Sequence, residues 1–311
     1  MNYQELVRKA DLALSDLTSH GVLNPEQENT FFRKVIDAPT ILKECRFVPM
    51  AGPRKEINKI GFADRILKAA NQGTISTPEL AETGTRALTR ANRTLPSLSK
   101  ITLDTDELIA EINIPYEVLE DNIEKENLQS TMLDMIAEGC ARDLEEKIIL
   151  GDTTSADAYL ALQNGILAAT SSNTVNHGGA EVDVNLFKNM RNALPVRYHR
   201  FINDMRFYVS TTREVDMRAA LAQRQTNLGD QMLAASAAIS MMGVQVRGAT
   251  QMPNANAILL NPKNLIVGIQ RNMRMEMDKN IRERAIIIVL TMRMDHLFEE
   301  EDMVVKALNI G

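Results

Sequence analysis

The densest chemistry in the 311-residue chain lies near its carboxyl end, where Asp295-His296 is followed by Glu299, Glu300, Glu301 and Asp302. Such a run could in principle collect a hard cation through its oxygens. A calcium loop, however, alternates its acids around an ordered glycine, and neither feature is present, so the run reads as a solvated acidic loop. Arg197-Tyr198-His199-Arg200 could touch phosphate, but four residues are a weak signal and read as a surface turn. The four histidines, His20, His177, His199 and His296, are scattered, none at metal-ligand spacing from another. Cys45 and Cys140 make no CxxC pair, zinc spacing or disulfide framework, which predicts reduced, buried thiols. No phosphate loop, dinucleotide fingerprint, HExxH or GxSxG occurs. No catalytic, cofactor-binding or metal-binding residues are therefore expected.

Elements that would position side chains can be read from the apolar spacing. Asn2 to Leu17 places Leu6, Ala10, Leu14 and Leu17 at helical steps, ended by His20-Gly21. Asn24-Pro25-Glu26-Gln27 supplies an N-cap, a first-turn proline and a capping-box partner for a helix with Phe31, Phe32 and Val35 that stops before Pro39. Both are too short to stand alone in water and must dock. Phe47 to Met50, and then Ile57, Ile60 and Phe62, predict two extended stretches around a turn at Gly52-Pro53. Residues 65–99 are polar and hold too few large apolar side chains to fold alone. Extended character returns over Lys100 to Ile114, so the whole reads as a long hairpin with a polar tip.

Pro115-Tyr116-Glu117 opens a helical region in which Leu128, Met132, Met135, Ile136, Cys140, Leu144 and Ile148 recur at steps of three and four, up to a C-cap at Gly151. A helix of roughly 25 residues, about 40 Å long, would serve as a spine for a sheet. Beyond it come an extended Gly165-Ile166-Leu167, a loop at His177-Gly178-Gly179, a helix over Val184 to Leu194 and a buried strand over Arg206 to Ser210. A helix capped by Thr211-Thr212 and strands at Gly243 to Val246, Ala257 to Leu260 and Leu265 to Gly268 complete an α/β alternation. Gln270 to Met277 and the β-branched Ala285 to Met294 predict a long strand hairpin turning near Lys279-Asn280, before a last strand over Met303 to Leu308.

With 44% hydrophobic and 24% charged residues, the chain is long enough for two packed domains or one large one and is not disordered. It has no run of eighteen apolar residues and no signal-like amino terminus, which predicts a protein without a membrane span, made and kept in the cytoplasm. A net charge of −6 argues against a generic nucleic-acid binder, and the absence of Trp removes the best stacking platform for single strands. Seventeen methionines suit either surfaces that adapt to neighbours or gap-filling in a core.

Charge is unevenly placed. Arg54 to Lys100 holds nine Lys or Arg against four acids, whereas Asp104 to Asp152 holds three against fifteen. If the basic loop cannot fold back on its own subunit, the acidic helix of a neighbouring copy is its target; the alternative is that the acids line a solvated face. The residues expected to carry this contact are Arg65, Lys68, Arg86, Arg90 and Arg93 on the loop and Glu120, Glu124, Asp134, Glu138 and Glu145 on the helix. An arm, a long loop and a long hairpin all reach outwards, the layout of a subunit whose surface is mostly contacts with copies of itself.

The order of these parts, VPMAGPRKEINKIGFADRIL, IAEINIPYEVLEDN, TMLDMIAEGCARDLEEKIILGD, NGIL, GVQVRGATQMPNANAILLNPKNLIVGIQRNMRMEM and RERAIIIVLTMRMDHLFEEEDMVVKALNI, resembles the major capsid proteins of tailed double-stranded DNA bacteriophages with the Hong Kong 97-type fold. The resemblance covers nearly the whole chain and rests on the order of elements, since no short motif carries it. It implies an α+β fold with an N-arm (1–46), an extended E-loop hairpin with its stems (47–114) and a P-domain spine helix (115–152). It further implies a mixed α/β A-domain (153–262), P-domain strands (263–296) and a C-terminal strand (297–311) returning to the A-domain. The implied function is that of a structural protein, not an enzyme: pentamers and hexamers forming an icosahedral shell around packaged double-stranded DNA, with each E-loop over a neighbouring subunit. The implied location is the virion, assembled in the host bacterial cytoplasm. Its partners would be itself and DNA enclosed without sequence-specific binding, with separate scaffolding, portal and decoration proteins as further candidates; cofactors and membranes are not implied. An encapsulin-like nanocompartment shares the fold and is the alternative. Family members that carry a scaffolding segment place it ahead of the arm, and only about 45 residues precede Phe47 here. Some members crosslink an E-loop lysine to an asparagine of another subunit; Lys68 lies in the corresponding region without a nameable acceptor, so crosslinking is not expected.

Overall fold

The computed structural model describes residues 40–62, 66–67, 94–117, 128–222 and 239–311, with the backbone alone for 128–134 and 222. The two amino-terminal helices read from the sequence, and most of the polar hairpin tip, lie outside the described residues. The chain divides into two compact units, residues 54–103 and the remainder.

The larger unit is built on two sheets. In the first, β1 (Arg46–Pro49) runs parallel to β10 (Leu265–Asn280), which pairs antiparallel with β11 (Ala285–Phe298), which pairs antiparallel with β4 (Asp106–Pro115). Along β10 the methionines do the burying. Met273, Met275 and Met277 are buried while Arg274, Glu276 and Asp278 are exposed, the period-two signature of a sheet with one covered face. Ile286, Ile288, Leu290, Met292 and Met294 of β11 bury in step with them.

The cover is α1 (Leu128–Leu150). Its Ala137, Ala141, Leu144 and Ile148, spaced at three and four, share one core with those strand residues. Each fully buried large side chain here contributes about 1.5–3 kcal/mol. Small residues at 137 and 141 leave room for the long thioethers opposite.

The second sheet has strand order β5-β12-β9-β6-β8-β7, from β5 (Thr174–Asn176), β12 (Val305–Leu308), β9 (Ala257–Leu260), β6 (Arg206–Ser210), β8 (Val244–Ala249) and β7 (Ser240–Met241). It is buried on both faces. Phe207, Val209, Ala257 and Leu259 point into a core with α3 (Val184–Ala193) and with Met217 of α4 (Thr211–Ala222), while Tyr208, Ile258 and Leu260 point into the core of the first sheet. That double burial is why Ala257–Leu260 is apolar at every position. Asp183 caps α3 by accepting the Leu186 N–H at 2.8 Å.

Several expectations are corrected. Gly165-Ile166-Leu167 is not extended: Gly165 opens a one-turn helix, α2 (Ile166–Ala169). Leu265 to Gly268 and Gln270 to Met277 are one continuous sixteen-residue strand, bent by register shifts near Arg271. Arg197 to Arg200 lies in a 3-10 helix over Val196–Asp204. The first extended stretch is β1, paired with β10 and not with the Lys100 to Ile114 arm of the expected hairpin.

The smaller unit is a two-stranded ribbon of β2 (Arg54–Gly61) and β3 (Ser97–Asp104). Ser97 Oγ donates to the Gly61 carbonyl at 3.0 Å, and Lys100 Nζ lies 3.0 Å from Glu56 Oε1.

Candidate subunit-contact surface

A two-stranded ribbon is at best marginally stable in water. This one leaves large apolar side chains in solvent: Ile60 is 69% exposed, Phe62 53% and Leu98 76%, and Leu95 is exposed as well. Large apolar side chains left in solvent at this density suit a contact. Arg54, Lys55, Lys59 and Lys100 accompany it on the strands, with Glu56 as the acid whose carboxyl the Lys100 bond holds low. The five loop residues expected to carry the contact, Arg65, Lys68, Arg86, Arg90 and Arg93, lie outside the described residues.

On the acidic side, Glu120 and Glu124 also lie outside, and Asp134 is placed on α1 without a described side chain. Glu138 is exposed. Glu145 is a correction: it is 5% exposed and accepts the Thr40 N–H at 3.2 Å and the Ile41 N–H, closing the open start of the 3-10 turn Leu42–Glu44. Burial raises its carboxyl above the ordinary range against those bonds. Its position, four residues after Ala141 and three before Ile148, sets it on the buried stripe, so helical phase was the available signal.

The carboxyl-terminal acidic run does not converge on a cation. Glu299 pairs with Arg46 at 3.1 Å, Asp302 pairs with Arg197, and Glu301 accepts the backbone N–H groups and hydroxyls of Ser171 and Ser172 at 2.7 to 3.0 Å, which hold its carboxyl down to about 2. Among the described residues no three His, Cys, Asp or Glu side chains form a metal-like group. Arg197 and Arg200 lie over the rings of Tyr198 and Phe201, at 4.7 and 4.6 Å from the centroids. Cys45 donates to the Ile41 carbonyl at 3.0 Å; burial pushes its thiol up to about 12 and that of Cys140 to about 11, so neither is a nucleophile. An apolar cleft lined by Leu108, Cys140, Leu144, Met273 and Leu290 has only Asp143 and Tyr159 as ionisable partners, too few convergent polar groups for catalysis.

Asp295 and His296 are buried instead, at 3% and 2% exposure, beside a fully buried Lys147 that the sequence reading passed over. The apolar Ile148-Ile149-Leu150 that follows it was the signal, since the last turn of a helix that is apolar all round lies inside the core.

The phage capsid family matches residues 22–305. YqbE of Bacillus subtilis (strain 168), named for a prophage capsid role, is 42% identical over all of this chain and 99% of its own length. Among solved structures, the satellite phage P4 procapsid with its size determination (Sid) protein superposes with a TM-score of 0.63 at 15% identity, covering 100% of this chain and 98% of the other. The capsid of a native GTA particle gives 0.63 at 16% identity over 89% and 91% of the two chains, and a virus-like particle from Pyrococcus furiosus gives 0.55 at 9% over 91% and 98%. These last likenesses carry the fold; the family match and the 42% identity carry more, and by them this chain belongs to the phage capsid family, as a major capsid protein and structural component of the virion.

Proposed function

We propose that this chain assembles as pentamers and hexamers into the icosahedral shell of a tailed phage, enclosing double-stranded DNA without sequence-specific contacts. The observation that carries this is the ribbon of residues 54–103, whose Ile60, Phe62, Leu95 and Leu98 are exposed in a unit too thin to bury them. Laid over a neighbouring copy as an E-loop, the ribbon would withdraw those side chains, each worth about 1.5–3 kcal/mol when fully buried. Its basic tip would meet acids such as Glu138 of the neighbour's α1.

On this reading residues 1–46 are the N-arm and 47–114 the E-loop with its stems. α1 with β10 and β11 forms the P-domain (115–152 and 263–296), its sheet completed by β1 and β4 from the E-loop stems, and residues 153–262 are the A-domain. Residues 297–311 return to the A-domain through β12, which is inserted between β5 and β9. Scaffolding, portal and decoration proteins would be separate partners.

The test is negative-stain microscopy with light scattering on the full chain and on a variant lacking residues 65–99. Closed shells or five- and six-membered rings are expected from the full chain, and a folded protein that closes no shells from the deletion. A full chain that stays a compact monomer at every concentration and salt, or a deletion that still closes shells, overturns the reading. Shells filled with protein cargo and lacking DNA would favour a nanocompartment.

A further inference from the structure

The second sheet carries a square of polar side chains that its core does not explain. β6 and β8 run parallel with Arg206 opposite Gln245 and Tyr208 opposite Arg247, and partners in register share a face, so the four side chains stand together. Tyr208 is 0% exposed. Its hydroxyl, the Nε of both arginines and Gln245 Oε1 are buried and have no hydrogen-bond partner among the described residues. Arg206 is held from behind, its Nη1 donating to the Asn203 and Met205 carbonyls at 3.0 and 2.8 Å. One carboxylate faces the square. Glu44, the last residue of the 3-10 turn Leu42–Glu44, lies 3.9 Å from Arg206 Nε and 3.6 Å from Arg247 Nη2, and its charge also acts on the Tyr208 hydroxyl. Both distances are too long for a hydrogen bond. Donors left buried and unbonded at this density cost stability, so the square calls for a role.

We propose that Arg206, Tyr208, Gln245 and Arg247 form a phosphate site, in which the Glu44 carboxylate stands where the phosphate binds.

The chemistry matches group by group. A phosphate offers three or more acceptor oxygens, and two guanidiniums with a hydroxyl are the donor set that recognises them. Burial raises the Tyr208 phenol well above its ordinary range, so the hydroxyl keeps its proton and donates. The Gln245 amide carries two N–H donors besides its oxygen and presents them when turned. Room and access come from Glu44. Its carboxylate fills the space an oxyanion takes, and the Glu44 and Arg247 side chains are 33% and 42% exposed, so rotating Glu44 into solvent opens the square without moving a strand. The turn itself is held without Glu44, for Glu145 accepts the Thr40 and Ile41 N–H groups at its start and Ile41 and Leu42 are buried. Two sources share the ligand chemistry, free inorganic phosphate and the backbone phosphates of DNA; only the second rests on the shell reading.

The experiment titrates the full chain and its Glu44→Gln, Tyr208→Phe and Arg247→Gln variants with inorganic phosphate at fixed ionic strength, followed by calorimetry. Saturable binding is expected from wild type. E44Q, freed of the competing carboxylate, should bind about fivefold tighter, Y208F about two- to tenfold weaker, and R247Q without saturation. Y208F decides the matter should R247Q fail to fold, because it removes an unbonded hydroxyl and leaves the packing of the ring intact; its denaturant midpoint should equal or exceed that of wild type. A merely structural role for the square moves unfolding and gives no phosphate isotherm. No saturable binding by wild type and E44Q, or equal affinity in wild type, E44Q and Y208F, overturns the proposal. A DNA duplex without terminal phosphates, added to the phosphate-loaded chain, then separates the sources: displacement of the ion identifies the DNA backbone, and retention identifies free phosphate. The phosphate titration needs no shell, so a chain that binds phosphate and never assembles would refute the shell reading alone.

Discussion

Replacing Gly165 by alanine is the most demanding test of the packing between the end of α1 and the chain that opens α2. Its backbone is at φ −75° and ψ −177°, which any residue adopts, so the side chain alone decides the outcome. By itself the substitution would stabilise by about 0.4–1 kcal/mol through the unfolded state. The space forbids it. A Cβ at Gly165 would lie 2.7 Å from the Gly151 nitrogen, 2.7 Å from the Ile148 carbonyl oxygen and 2.9 Å from the Lys147 carbonyl oxygen, all backbone atoms that cannot rotate aside. The Gly165 N–H bond to the Gly151 carbonyl, 2.7 Å long, must stretch as the strands of chain part. Overpacking of about 1–3 kcal/mol and a weakened buried hydrogen bond at about 1–3 kcal/mol outweigh the entropic gain, for a net loss of about 1–5 kcal/mol. Urea unfolding of the unassembled chain measures it. Gly139, in the middle of α1 with nothing within 4 Å of a built Cβ, is the control, and Gly139→Ala should gain about 0.5–1 kcal/mol. A G165A protein as stable as wild type would refute the direct backbone contact between the helix end and the loop.

Other outcomes follow from the same contacts. Met275→Ala, at 1% exposure in the core beneath α1, should cost about 2–5 kcal/mol in the same unfolding measurement. Glu301, whose carboxyl is held down to about 2, contributes stability that is present above its ordinary 4.5 and lost as pH falls through about 2; Glu301→Gln should cost about 1.5–3 kcal/mol at neutral pH and flatten that acid limb in a pH series of melting temperatures. The pair Phe62→Ser and Leu98→Ser should leave the unfolding of the larger unit unchanged while lowering the fraction of chain sedimenting as shells; a full yield of shells would count against the ribbon as a contact.

The sequence already contained the elements whose burial is simple. Ala257–Leu260 and Arg206–Ser210 fall where the apolar runs lie because both faces of those strands are covered, and α1 ends where its three-and-four spacing ends. The order of those elements also pointed to the family that the comparisons return. Less visible were pieces whose conformation depends on distant backbone. Gly151 reads as a helix cap, yet its φ is not left-handed; a Cβ there would stand 2.4 Å from the Gln163 carbonyl oxygen, so glycine is required by a contact made across the junction. Gly165-Ile166-Leu167 is too short and apolar to separate a strand from one helical turn, and tertiary contact chose the turn. The strand at Thr174–Asn176 exists because Lys306 to Leu308 pairs with it, information more than a hundred residues away.

The polar cluster failed to show in the sequence for a further reason. Asp295-His296 looks like the point where a strand gives way to an acidic loop, because two polar residues in succession usually mean solvent. The strand in fact continues to Phe298, and pairing of Gly268 with Asp295 and Val267 with His296 carries both residues into the interior. Once there, each carries a charge only at a cost in lost solvation, and Lys147 stands near with its amine unbonded. Polar groups in such a place violate the pattern that specifies the rest of the sheet, and a local violation that survives in an otherwise consistent fold is where function is to be sought. The ribbon breaks the pattern in the opposite sense, by leaving apolar side chains outside. On the proposed reading the ribbon answers to a second copy of the chain, so stability and shell formation should respond to separate substitutions: Met275→Ala should lower the first, and F62S/L98S should lower the second while leaving the unfolding of the larger unit unchanged.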